Sequence, residues 1–72
     1  DVVITDYEMQ GMDGLELIAR IKNTGIPIKI ILMSGAMDAA LEARARAAGA
    51  DGCLRKPFDL KELWEILNEL GV

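Results

Sequence analysis

The chain predicts an α/β fold built on a parallel sheet, and three observations carry that prediction. Apolar runs of strand length alternate three times with amphipathic runs of helix length, the connections between them are short, and each strand-length run closes on a polar residue. Strand–helix–strand units of this spacing run parallel with right-handed crossovers, and such short connections reach only a neighbouring strand. Three strands are therefore expected side by side in chain order.

The first strand is expected over 1–6, where Val2, Val3, Ile4 and Thr5 are β-branched and Asp6 closes the run. A helix follows at about 14–23. Asp13 precedes Glu16 by three residues, the spacing of a capping box, and Gly25 stands where the helix must stop. The second strand, 28–33, runs from Ile28 to Met33 into Ser34-Gly35. A helix at about 38–48 ends before Gly49; it offers Leu41 and otherwise mostly alanines as its apolar face, so it is expected to be the weakly anchored element. The third strand, 51–55, runs into Lys56-Pro57. The last helix, 59–70, opens on Asp59 with Glu62 at capping spacing. It carries Leu60, Leu63, Trp64, Ile66, Leu67 and Leu70, a stripe broader than one sheet contact needs.

Composition bounds the function. With 72 residues there is room for one small domain, 1–72, and 51% hydrophobic content marks it as globular. A formal net charge of −4, with eight scattered Lys and Arg, lacks the basic face that nucleic acid requires. No run reaches the roughly 18 apolar residues of a membrane span. The single cysteine, Cys53, sits inside an apolar run and reads as a reduced, partly buried thiol, in keeping with a reducing cytoplasm. Asp1 lies directly against a buried-type strand, which reads as a piece of something longer.

The strand ends carry the chemistry. In open α/β sheets the carboxyl ends of the strands form the ligand edge. Adjacent parallel strands lie about 4.8 Å apart, so Asp6, Ser34 and Lys56 are expected within reach of one phosphoryl group. A carboxylate can accept phosphate as an acyl phosphate, while an ammonium, a hydroxyl and the backbone amide of Gly35 stabilise charge on the transferring oxygens. Taken singly, Asp6 reads as a solvated strand terminator, Ser34 as a turn residue and Lys56 as a surface charge; their weight is joint. Met9, Met12, Met33 and Met37 read as gap fillers. Asp38 and Glu42 read as a solvated helix start, and Trp64 as core or interface packing.

The segments VVITDYEMQGMDGLELI, IKIILMSGA and AAGADGCLRKPFDLKEL resemble the receiver domains of bacterial two-component response regulators along the whole chain. The resemblance implies a three-layer, flavodoxin-like sheet, of which this chain matches strands three to five with their helices. It also implies Asp6 as phosphoryl acceptor, Ser34 as switch hydroxyl and Lys56 as the phosphate-contacting lysine before a cis proline. Asp6 and the backbone carbonyl of Glu8 would contact Mg2+, and a histidine kinase or phosphotransfer protein would be the donor. The family's acidic metal-binding pair has no counterpart here, so Mg2+ is expected to bind weakly or not at all and phosphorylation of Asp6 to be impaired. Gln10 replaces the usual proline, and Cys53 stands where the switch aromatic is usual.

Two rival readings differ in class. The chain could be a silent self-associating module, in which the bare Val2–Ile4 edge and the broad stripe on 59–70 are covered by a homodimer. Alternatively, an aspartate-nucleophile phosphatase of the haloacid-dehalogenase type also uses Asp, hydroxyl and Lys at strand ends. Its motif needs a second Asp where Glu8 stands, which disfavours it.

Overall fold

The computed structural model describes residues 2–7 and 14–71. Strands β1 (Val2–Asp6), β2 (Lys29–Ser34) and β3 (Gly52–Arg55) alternate with helices α1 (Gly14–Asn23), α2 (Ala39–Ala48) and α3 (Leu60–Glu69). The sheet is parallel and ordered β1-β2-β3, with Val2 opposite Lys29 and Ile31 opposite Gly52 at the first paired positions. Element order, strand direction and sheet order match the reading of the sequence. The second strand runs one residue further than expected, so that Ser34 is its last paired residue.

Side-chain alternation along the strands sorts the interior into two layers. Ile30 and Leu32 point to the face covered by α1 and α2, where they form one buried cluster with Ile18, Leu41, Ala45 and Ala50. Ile31, also fully buried, belongs to the opposite face, which α3 covers. There Ile66 approaches closely enough that a Cβ at Gly52 would lie 3.3 Å from its Cδ1. One helix cannot roof the whole face: Ile4, in register with Ile31 and Gly52 on that side, remains 40% exposed.

The ranking of the helices corrects the expectation from sequence. The helix over 38–48 was expected to be weakly held, yet α2 buries Leu41 and Ala45, whereas α3 has no buried residue. Alanines let a helix backbone come close to its neighbours, so a small side chain such as Ala45 is fully enclosed. Within the wider stripe of α3, Ile66 meets the sheet at Gly52, Leu63, Leu67 and Leu70 are half-buried, and Leu60 and Trp64 are exposed. Trp64, read as packing in a core or an interface, is 65% exposed, which removes the core from consideration. The cap expected at Asp59 forms, its Oδ1 accepting from the Glu62 amide at 2.8 Å, and Asp38, read from the sequence only as a solvated helix start, caps α2 in the same way, its Oδ1 accepting from the Leu41 amide at 2.7 Å. Glu42 pairs with Arg46 one turn on, at 3.1 Å. Met33 and Met37 are half-buried. Met9, Met12, Gln10 and Asp13, with its capping box, lie outside the described residues.

Candidate functional site at the carboxyl edge of the sheet

The register explains how the three strand-end residues meet. Asp6 is paired with Met33, Ser34 with Arg55, and Lys56 follows at once. Alternation puts Asp6, Met33 and Leu54 on one face, and Lys56, two residues beyond Leu54, on that same face. The central strand separates β1 from β3 by two spacings, roughly 10 Å. A lysine stem and an aspartate side chain can span that distance. The Lys56 Nζ donates to Asp6 Oδ2 at 2.6 Å, a short, charge-assisted contact between partly buried groups.

Ser34 holds the edge together from the centre. It is fully buried; its Oγ accepts from the Ala36 amide at 3.0 Å and its carbonyl accepts from the Lys56 amide at 2.9 Å. The first of these ties down the turn after β2, the second fixes where Lys56 leaves β3. The Tyr7 amide donates to the Met33 carbonyl at 2.9 Å, doing the same for the turn after Asp6. The Lys56-Pro57 bond is cis, as the resemblance implied. Asp6, Ser34 and Lys56 thus share one edge, and Asp6 and Lys56 touch. Glu8 lies outside the described residues.

Two features of the surroundings escaped the sequence. Gly14, at the start of α1, sits so close beneath β1 that a Cβ there would lie 2.9 Å from the Asp6 carbonyl oxygen and 2.8 Å from Leu32 Cδ1. Only the absence of a side chain lets α1 begin against the turn that presents Asp6, and no periodicity signals it. At the opposite, amino edge, Asp51 Oδ2 accepts from the Ile30 amide at 2.9 Å and from Lys22 Nζ at 3.1 Å. Burial alone raises the Asp51 pKa, but the Ile30 amide and Lys22, with a smaller contribution from Lys29, outweigh it and hold the group below its ordinary value. Lys22 also donates to the Ile28 carbonyl, and its stem lies against Gly49, whose φ of 121° favours glycine. Beside the α2 layer, Cys53 is half-buried; burial pushes its thiol pKa up, with Arg46 opposing and Glu42 adding.

A metal needs more oxygen ligands than one aspartate supplies. Among the described residues no group of three or more His, Cys, Asp or Glu is placed to hold a cation. Mg2+ takes near-octahedral oxygen ligands, including one or two carboxylates and often substrate phosphate. Asp6 can give one of these; the described residues do not assemble a dedicated magnesium site.

A parallel sheet whose central and flanking strands bring an aspartate, a serine and a lysine to one carboxyl edge, with a cis lysine–proline bond, defines a receiver-type α/β module. Comparison with known proteins agrees: the family model for the response regulator receiver domain matches residues 1–68, and the chain belongs to that family. It is 42% identical over 68 residues to the DNA-binding transcriptional regulator NtrC of Azospirillum brasilense, covering 94% of this chain and 14% of that protein. It is 40% identical over 57 residues to the transcriptional regulatory protein FixJ of Bradyrhizobium diazoefficiens, covering 79% of this chain and 28% of that one. Among solved structures, a DNA-binding response regulator of the LuxR family from Staphylococcus aureus superposes with a TM-score of 0.85 at 32% identity, over 99% of this chain and 59% of that chain. The chain therefore spans a minor part of the curated relatives' length and somewhat over half of the solved one.

Proposed function

We propose that this chain is the phospho-acceptor part of a response regulator receiver domain, with Asp6 as the acceptor, and that 1–72 forms part of such a domain. The observation that supports it best is the 2.6 Å contact between Asp6 and Lys56, two strands apart. In this reading a carboxylate oxygen of Asp6 attacks the phosphorus of a phosphodonor. The new O–P bond gives an acyl phosphate as the bond from phosphorus to the donor breaks, and the donor leaves with that electron pair. Lys56 keeps its proton and turns its hydrogen bond toward a phosphoryl oxygen. Ser34, with the amide of Gly35, contacts the others. The natural donor is a phosphohistidine on a histidine kinase or phosphotransfer protein in a reducing cytoplasm. No described helix is long and apolar enough to cross a membrane. The module regulates rather than turns over substrate.

Receiver domains bind Mg2+, which supplies charge neutralisation when bound; here Asp6, with the carbonyl of Glu8, would contact it. With the described carboxylates so few, uptake is expected to be slow. Incubation with acetyl phosphate and Mg2+, followed by intact mass, tests the reading. The mass of one phosphoryl group should appear on the chain and vanish in Asp6→Asn; uptake that survives the substitution refutes the assignment.

A second reading is favoured by Leu60 at 82% exposure and Trp64 at 65%: the chain self-associates as a homodimer.

A further inference from the structure

We infer that Arg55 is a second anion-binding residue of the carboxyl edge, docking the phosphodonor on the Ser34 side of the sheet while Lys56 serves the Asp6 side. The inference rests on the acceptor reading above and adds to it the group that binds the incoming donor. Arg55 ends β3, in register with Ser34 and directly before Lys56. Alternation sends these two neighbouring cations to opposite faces. Lys56 reaches across to donate to Asp6, whereas Arg55 stands with Ser34 and Cys53 on the face that α1 and α2 cover. The edge is therefore flanked by a cation on each side.

The pairing of the other cations sets Arg55 apart. Arg20, Lys22, Arg46 and Lys56 are each engaged by a carboxylate, those of Glu16, Asp51, Glu42 and Asp6. Arg55 is exposed, and no carboxylate among the described residues pairs with it. A planar guanidinium with uncommitted donors suits a phosphoryl group, two of whose oxygens it can take at once. The approach of a donor makes that charge useful. An anionic phosphodonor has to come up to the Asp6 carboxylate, the Lys56 ammonium is already engaged there, and the described residues assemble no acidic cluster for a neutralising cation. An exposed contact of this kind is made alike before and during transfer. It should strengthen donor binding and leave the transfer step itself unaltered. Lys29 supplies the comparison: it too is exposed and unpaired among the described residues, but it begins β2 at the opposite, amino edge.

Titration with inorganic phosphate, followed through the amide resonances of Gly35 and Arg55, reads docking; intact mass after acetyl phosphate and Mg2+ reads transfer. Arg55→Gln should raise the dissociation constant for phosphate about three- to fivefold, with phosphoryl uptake at low donor concentration falling by the same factor. Arg55→Lys should recover most of the loss, Lys29→Gln should behave as the parent, and added salt should erase the difference between the parent and Arg55→Gln. Both positions are exposed, so far-ultraviolet circular dichroism should show each variant folded as the parent is. No phosphate-dependent shift at this edge in the parent, or unchanged affinity in Arg55→Gln, overturns the docking role and leaves the acceptor reading standing. An equal loss in Lys29→Gln reduces the effect to net charge and overturns it too. Phosphate affinity that depends on Arg55, without Asp6-dependent uptake, refutes the acceptor reading instead and leaves Arg55 an anion contact with no donor to dock.

Discussion

Lys56 and Asp6 are fifty positions apart in sequence and 2.6 Å apart in space, with the whole of β2 between the strands that carry them. The contact exists because parallel register brings both residues to the same face at the same edge. It is also the contact that phosphate would have to share, since an anion bound to Asp6 adds oxygens within reach of the same ammonium.

Replacing Lys56 by Met should therefore separate stability from chemistry. The pair is partly exposed, and such ion pairs contribute about 0.2–1 kcal/mol, so urea melting should shift little. Loss of one preformed donor to developing oxyanion charge costs about 10²–10³ in rate. Phosphoryl uptake from acetyl phosphate, followed by mass, should fall by that order.

Gly14→Ala should damage the site from below. The added methyl would meet the Asp6 carbonyl oxygen and Leu32, neither of which can move without shifting β1 or the core. Overpacking of this kind costs about 1–3 kcal/mol. Denaturant unfolding should show the loss, and the amide resonances of Asp6 and Tyr7 should move more than those of α3.

Acid should loosen the amino edge through Asp51. Its folded pKa lies below the ordinary 3.8, so the stabilisation it contributes is present above that value and is lost as pH falls through the folded pKa. Stability measured in urea should decline below about pH 4 in the parent. In Asp51→Asn that part of the decline should be absent, with lower stability at neutral pH because Lys22 loses its charged partner.

Cys53 should alkylate slowly. Its pKa is raised above 9.0, chiefly by burial, so the thiolate fraction at neutral pH is smaller than in a free peptide. Iodoacetamide labelling of the folded chain at neutral pH should lag the urea-unfolded chain clearly. Equal rates would show that the thiol is not shielded by the α2 layer.

The residues themselves determined a good deal. β-branched runs, capping aspartates and stop glycines are local signals, written within a few positions of the structure they cause, so element order, strand direction and the strand-end placement of Asp6, Ser34 and Lys56 were readable in advance. The motif around Lys56-Pro57 likewise pointed to the family, in which that proline is usually cis, while the isomer of this particular bond was decided by the structure. The tertiary structure alone decided which groups touch. That Asp51 turns back to the Ile30 amide and Lys22, that Gly14 must lack a side chain, that α2 is better buried than α3 and that Trp64 faces outward depend on register and on the distance between layers. Those are properties of packed surfaces from distant segments, and periodicity along one segment carries no record of them.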